Sequence, residues 1–148
     1  MATLTIWILV VAAIIAGWHL FEFLWDRHLF GHRGNGGLVL NLRAKKALAL
    51  FRDFPDLLLI DVRPPASYEA GHLPQAVNAP FLGETLDGAA LAGVSRDRPV
   101  LIYCDGGFRS RRALAAIRAE GFHSIRHLHR GLMSWKAAGG PVQSGVGA

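Results

Sequence analysis

The stretch that decides the fold is VLIYCDGGFRS, residues 100–110, which contains the only cysteine of the 148-residue chain. Its first four residues are β-branched, aliphatic or aromatic and follow Pro99, a pattern that predicts a buried strand. Residues 110–120 are rich in Ala and Arg, with apolar residues at Leu114 and Ile117, and predict a helix. The stretch therefore predicts a strand, a tight glycine-containing loop and a helix, with Cys104 at the end of the strand.

A loop that closes over a helix N-terminus directs several backbone N–H groups to one point, where the positive end of the helix dipole also lies. An anion is stabilised at such a point, so the sequence predicts a thiolate at Cys104. A lone cysteine is more commonly a small buried apolar residue. The glycine-rich loop before an arginine-rich helix favours the reactive interpretation.

Further apolar strands alternate with helices on both sides of this stretch. Strands are predicted at 38–40, 57–62, 76–78, 100–103 and 125–128, and helices at 43–51, 66–70, 86–92, 110–120 and 132–138. This alternation predicts an α/β fold with a central parallel sheet flanked by helices. Because ligands bind at the carboxyl ends of such strands, we expect Asp61, which ends its strand, to lie near Cys104.

The N-terminal segment accounts for much of the 51% hydrophobic composition. Residues 4–24 are almost wholly apolar and long enough to cross a hydrocarbon core of about 30 Å. Trp7, Trp18 and Trp25 suit interfacial anchoring. A cleaved signal peptide is the alternative, but residues 1–5 lack Lys and Arg and no clear cleavage site is visible. We therefore predict one transmembrane helix.

The chain is expected to have four segments. They are a transmembrane anchor at 1–26, a flexible linker at 27–37, a domain at 38–143 and a C-terminal tail at 144–148. The basic residues that follow the apolar segment are Arg27, Arg33, Arg43, Lys45 and Lys46. By the positive-inside rule, the protein is predicted to be a single-pass protein of the cell membrane, with its C-terminal domain facing the cytoplasm. Membrane lipid would contact residues 4–25.

The net charge of +5 raises the question of nucleic acid binding. The basic residues are scattered and lack the aromatic interleaving of a platform on which bases stack, so no nucleic acid partner is predicted. The basic residues after the anchor suit anionic lipid head groups. One cysteine cannot form an internal disulfide, which agrees with a reducing compartment.

No metal or other cofactor is predicted. His28 and His32 have a spacing that could ligate a metal on a helix, but they lie among glycines. The histidines around the last predicted strand are expected to be solvated. They are His123, His127 and His129.

Several separate blocks of the sequence resemble the rhodanese family of sulfurtransferases. They are LIDVR (59–63), YEAGHLPQAVN (68–78), YCDGGFRS (103–110), GLMSW (131–135) and GGPV (139–142). With the anchor in front, the chain resembles the membrane-tethered single-domain members of that family. The resemblance implies a rhodanese-like fold. It also implies a two-step reaction in which Cys104 accepts a sulfane sulfur as a persulfide and passes it to a nucleophile.

The resemblance also implies the partners and the site. The donor would be thiosulfate or a persulfide, and the acceptor a thiol, cyanide or a protein. The residues expected to bind substrate and persulfide are Asp105, Gly106, Gly107, Phe108, Arg109 and Ser110. Those expected to support the loop are Asp61, Arg63 and His72, the last by a structural hydrogen bond.

Two charged side chains of the loop are expected to influence the choice of donor. Arg109 would supply a guanidinium for an anionic donor. Asp105 follows the cysteine directly, and its carboxylate would oppose a thiolate and a dianionic donor by up to about 1 kcal/mol. The sequence therefore favours a persulfide over thiosulfate as the donor.

Two other functions are weighed against the sulfurtransferase. Cysteine phosphatases place five residues between Cys and Arg, whereas four separate Cys104 from Arg109. The smaller loop favours sulfur over phosphate. The alternative from another class is a catalytically weak rhodanese-like binding or scaffold module tethered to the membrane.

Overall fold

Five parallel strands form the sheet that positions the site. They are β1 (Val39–Leu42), β2 (Leu58–Asp61), β3 (Val77–Asn78), β4 (Val100–Tyr103) and β5 (Ile125–Leu128). Their spatial order is β1-β5-β4-β2-β3. Every residue of β2 and β4 is buried, as expected for strands that are covered on both faces. The α/β fold with a central parallel sheet is confirmed.

The computed structural model describes residues 2–30 and 39–145. Its α-helices within those ranges are α1 (Ala2–Phe30), α2 (Ala44–Asp53), α3 (Pro65–Ala70), α4 (Phe108–Arg112), α5 (Leu114–Ala119) and α6 (Gly131–Ala137). The chain divides into two compact units, Met1–Arg33 and Gly34–Ala148.

One part of the core lies between the sheet, α2 and α6. Trp135 of α6 is completely buried and its ring meets that of Phe51 edge-on, with centroids 5.8 Å apart. Leu59 of β2 and Leu101 of β4 belong to the same cluster. Burying large side chains in this way stabilises a sheet-helix interface by about 1.5 to 3 kcal/mol for each. The core therefore holds α6 against the sheet, beside the site described below.

The helix predicted at 110–120 begins two residues earlier and divides at Ala113. That residue keeps near-helical angles (φ −73°, ψ −8°), and its N–H donates to the carbonyl of Arg109. The C-cap predicted at Gly121 is present, with φ at +92°. The helix predicted at 86–92 is only a 3₁₀ turn, Gly88–Leu91. A short segment that starts with glycine nucleates an α-helix poorly.

The described part of the N-terminal unit is the helix α1. Within it, Leu4–Trp25 is long and apolar enough to cross a membrane, by length and composition alone. The helix continues to Phe30, so residues 27–30 of the predicted linker are helical. Its remaining part, 31–37, lies outside the described residues, and so does the pairing of His28 with His32. Residues 146–148 of the predicted tail lie outside them as well.

Candidate active site

The sulfur of Cys104 lies at the carboxyl end of β4 and is surrounded by hydrogen-bond donors. The residue is only 3% exposed. The N–H groups of Gly107 and Ser110 donate to Sγ at 3.2 and 3.5 Å, and the hydroxyl oxygen of Ser110 lies 3.4 Å from it. Hydrogen bonds to an anionic acceptor are about twice as strong as neutral ones. This arrangement can stabilise a negative sulfur.

Gly107 gives the loop the conformation that makes this possible. Its φ is +90°, in the left-handed region that favours glycine. A Cβ atom at this position would lie 3.0 Å from the backbone nitrogen of Arg130. The left-handed conformation and the close neighbour both require glycine. The loop can therefore turn sharply into α4 and direct its N–H groups to the sulfur.

The N-terminus of α6 holds the back of the loop. The N–H groups of Leu132 and Met133 donate to the carbonyls of Cys104 and Asp105 at 2.8 and 3.1 Å. First-turn N–H groups have no partner within their own helix, and the loop carbonyls satisfy them. A Cβ atom on Gly131 would overlap the carbonyl oxygen of Cys104. The loop and α6 are therefore packed backbone against backbone.

An open pocket of about 320 Å³ gives access to the cysteine. Its lining residues are Phe81, Gly83, Cys104, Asp105, Gly106, Phe108, Arg109 and Arg112. Arg109 and Arg112 place two positive charges on the lining, against one carboxylate from Asp105. The loop residues were expected here from the sequence, whereas Phe81, Gly83 and Arg112 were not. Arg112 follows Arg109 by three residues, a spacing that places both on one helix face and could have identified it.

A buried ion pair connects the end of β2 to the loop. Arg63 and Asp61 are 3% and 0% exposed, and the Nη2 of Arg63 lies 2.6 Å from a carboxylate oxygen of Asp61. Burial lowers the pKa of Arg63, but the hydrogen bonds and charges of Asp61 and Asp105 outweigh it and raise the pKa overall. Arg63 thus remains positively charged in the interior.

The same guanidinium reaches Asp105. Its Nη1 lies 3.0 Å from the Asp105 carboxylate, whose side chain is 56% exposed. Asp61 also lies beside Tyr103 in the register of β2 and β4, as the parallel sheet predicts. Arg63 therefore lies between two carboxylates, and its single positive charge is shared between Asp61 and Asp105.

His72 lies in the turn after α3 and is completely buried. Its Nδ1 lies 2.8 Å from the carbonyl of Tyr68, and its Nε2 lies 3.0 Å from the amide nitrogen of Gln143. The carbonyl of Gly71, the residue before His72, accepts a hydrogen bond from Arg63 at 2.6 Å. His72 is thus placed to hold the turn that Arg63 contacts.

The expectation that His127 is solvated is wrong. It is completely buried, because β5 lies inside the sheet, where a polar residue can occupy a covered face. Its Nε2 lies 2.9 Å from the hydroxyl of Ser110 and 3.1 Å from the carbonyl of Gly107. Burial, and then the charge of Arg111, lowers the pKa of His127 to about 3. The imidazole is therefore neutral at physiological pH.

The other two histidines near β5 differ from His127. His123 is exposed and His129 is half-buried. Nδ1 of His129 lies 3.3 Å from Arg111. Across residues 2–30 and 39–145, no group of three His, Cys, Asp or Glu side chains could hold a metal ion.

Comparison with known proteins identifies the family. Residues 43–138 match the model of the rhodanese-like domain. A sulfurtransferase from Allochromatium vinosum is 33% identical over 90 residues, which are 61% of this chain and 81% of that protein. An HTH-type transcriptional regulator from Mycobacterium tuberculosis is 35% identical over 97 residues, 64% of this chain but only 41% of the regulator.

A solved structure agrees with this assignment. The solution NMR structure of the rhodanese-like domain of an Anabaena sp. protein has a TM-score of 0.61 and 25% sequence identity. The similarity covers 74% of this chain and 80% of that domain. Since the residues that match the family make up more than half of the chain, this protein belongs to the rhodanese-like family, as its sequence motifs implied.

Proposed function

We propose that this protein is a membrane-anchored sulfurtransferase that carries a sulfane sulfur as a persulfide on Cys104. The observation that carries the proposal is the convergence of three donors on one buried sulfur at a pocket lined by arginines. A persulfide is an anion, and this surrounding suits it. The sulfurtransferase relative supports the same activity.

The reaction has two balanced steps. In the first, the thiolate of Cys104 attacks the outer sulfur of thiosulfate and forms a new S–S bond. The original S–S bond breaks, and its electron pair leaves with sulfite. In the second, a thiolate or cyanide attacks the outer sulfur of the persulfide, and the electron pair of the broken bond returns to Cys104. This is nucleophilic covalent catalysis with a free enzyme regenerated at the end.

The side chains around the pocket have separate roles in this proposal. Arg109 and Arg112 attract an anionic donor to the pocket. Asp105 reduces the attraction for a dianion, and its pairing with Arg63 at 3.0 Å limits that effect. The donor is thus thiosulfate or a persulfide, and the acceptor is a thiol, cyanide or a protein.

Mass spectrometry of the purified protein tests the proposal. After treatment with thiosulfate or with glutathione persulfide, we expect Cys104 to gain one sulfur atom, which a reductant removes. Cys104→Ser lacks the nucleophile and is expected to gain none. The proposal fails if the wild type gains no sulfur from either donor, or if the serine variant gains as much as the wild type.

A catalytically weak binding module tethered to the membrane is the second candidate. Phe108 is 62% exposed and Leu82, next to the pocket residue Phe81, is 71% exposed. Exposed apolar side chains at a pocket suit contact with a protein. The HTH-type transcriptional regulator contains a similar segment, which makes up 41% of its chain. A wild type that gains no sulfur in the experiment above would favour this candidate.

We also propose that α1 crosses the cell membrane once and leaves the C-terminal unit in the cytoplasm. Its support is the apolar span Leu4–Trp25 together with the basic residues that follow it. Lipid would surround the exposed apolar side chains of α1.

Cysteine labelling tests this orientation. In a Cys104→Ser background, Ser95→Cys places a thiol at an exposed position of the C-terminal unit. We expect a membrane-impermeant maleimide to label it only after the cells are opened, because the membrane separates reagent and thiol. Ala2→Cys in the same background is the matched control and is expected to be labelled in intact cells. The reverse pattern would contradict the orientation.

A further inference from the structure

A buried chain of polar groups lies behind Cys104 and has no part in the two steps above. Asn41 of β1 and His127 of β5 are register partners, with Oδ1 and Nδ1 3.0 Å apart. Nε2 of His127 lies 2.9 Å from the hydroxyl of Ser110, which in turn lies 3.4 Å from the sulfur. The chain thus leads from one edge of the sheet to the reacting atom.

The surroundings of His127 determine which nitrogen carries its proton. The ring is neutral, because burial and the charge of Arg111 oppose a second proton. Its Nε2 lies 3.1 Å from the carbonyl oxygen of Gly107, which can only accept a hydrogen bond. The proton therefore belongs on Nε2. Nδ1 is then an acceptor. Oδ1 of Asn41 lies 3.0 Å from Nδ1 of His127, and Nδ2 of Asn41 lies 3.3 Å from Nδ1 of His129. This tautomer therefore requires the Asn41 amide to be turned over, with its NH₂ group toward His127 and its oxygen toward a protonated Nδ1 of His129.

This tautomer decides where the proton of Ser110 points. The hydroxyl has three polar neighbours: Nε2 of His127, the carbonyl of Gly107 at 3.2 Å and the sulfur of Cys104 at 3.4 Å. With a proton on Nε2, the imidazole donates to the hydroxyl oxygen and cannot accept from it. The Gly107 carbonyl oxygen, which has two lone pairs, accepts from Nε2 of His127 and from the N–H of Arg111 at 3.2 Å. The hydroxyl proton is left to the sulfur, and a negative sulfur attracts it most strongly.

We propose that His127 is a positioning residue of the sulfur site, whose Nε2–H orients the Ser110 hydroxyl as a donor to Cys104 and holds the Gly107 carbonyl. The same peptide segment presents the Gly107 N–H to the sulfur at 3.2 Å. The inference rests on the proposed role of Cys104 as the sulfur that reacts. His127 itself exchanges no proton with the substrate.

The rate at which Cys104 reacts with iodoacetamide at a fixed neutral pH measures this effect without any sulfur donor. His127→Phe keeps a planar ring but removes the N–H donor. We expect it to slow the reaction about three- to tenfold, as the loss of one oriented hydrogen bond to the sulfur would. His127→Gln offers an amide N–H at a similar reach and is expected to recover most of the rate. The exposed His123→Gln is the control and is expected to react like the wild type.

A double-mutant cycle separates positioning from general structural support. Ser110→Ala removes the hydroxyl through which His127 acts. We expect the double variant with His127→Phe to react no more slowly than Ser110→Ala alone, because residues that act through one contact are not additive. Fully additive losses, or a His127→Phe variant as fast as the wild type, would overturn the proposal.

NMR of the wild type keeps the test independent of whether the variants fold. The ring nitrogens of His127 are expected to show the Nε2–H tautomer and no titration between about pH 5 and 8, the range in which an ordinary histidine changes charge. A proton on Nδ1 would overturn the proposal. If the wild type takes up no sulfur while these results hold, the sulfurtransferase proposal fails and the positioning of the thiolate stands.

Discussion

Gly131→Ala is expected to abolish sulfur uptake at Cys104, although no side chain of the pocket changes. The new methyl group would overlap the carbonyl oxygen of Cys104 and lie 2.5 Å from that of Asp105. Both atoms belong to the backbone, so no side chain can move aside. The φ of +52° adds strain for any residue other than glycine. The loop must shift, or the first turn of α6 must open.

Either change breaks the hydrogen bonds from Leu132 and Met133 to the loop and displaces the donors around the sulfur. We expect no detectable persulfide by mass spectrometry. Urea unfolding should show a free energy of unfolding lower by about 3 kcal/mol or more, since overpacking and backbone strain add. Gly139→Ala is the matched control, because Gly139 also has a positive φ, +77°, but nothing within 4 Å of the new methyl group. Equal effects at the two positions would show that close packing is not what requires glycine at 131.

Asp61→Asn is expected to lower the free energy of unfolding by about 3 to 5 kcal/mol, the usual result of removing one partner from a buried ion pair. The variant keeps the shape of the side chain but leaves the Arg63 guanidinium, with its side chain 4% exposed, without its main counter-charge. The remaining partner, Asp105, is largely exposed and lies at the pocket. It cannot compensate for the loss.

Urea unfolding of Asp61→Asn beside Asp97→Asn measures this effect. Asp97 is exposed, and its change is expected to stay within about 0.5 kcal/mol of the wild type. Similar stabilities for the two variants would refute the importance of the buried pair. Arg63→Met combined with Asp61→Asn should recover part of the loss, because it removes the isolated charge.

The sequence was most informative where the chain is locally apolar and continuous. The bounds of β4 agree with the prediction because its apolar run follows Pro99 and ends at the loop that begins with Cys104. The bounds of β5 agree as well, although only Ile125 and Leu128 of its four residues are apolar. The 3₁₀ turn at Gly88–Leu91 was predicted as a helix, since spacing alone does not reveal that the segment nucleates poorly. The break at Ala113 has no counterpart in the residue pattern.

Some residues of the candidate site could likewise be predicted from the sequence, and others could not. The loop around Cys104 is contiguous, and the parallel sheet rule places Asp61 at its edge, so both could be predicted. Phe81 and Gly83 reach the pocket from a distant segment that only the tertiary fold brings there. The burial of His127 does not follow from its residue type, because a polar residue in a strand is ordinarily expected on a solvated face. β5 lies between β1 and β4, and there a polar residue can lie on a covered face.

The hydrogen bonds between the loop around Cys104 and the first turn of α6 link the stabilities of the two parts. The carbonyls of Cys104 and Asp105 accept hydrogen bonds from the first turn of α6. Local opening of the helix and distortion of the loop therefore break the same hydrogen bonds, and each lowers the free energy cost of the other. Any ligand that tightens the loop must slow hydrogen exchange at the first amides of α6. Linkage is reciprocal. A protein that binds Met133, which is 68% exposed on that turn, more tightly when the turn is closed would therefore stabilise the loop around Cys104 by the same coupling free energy.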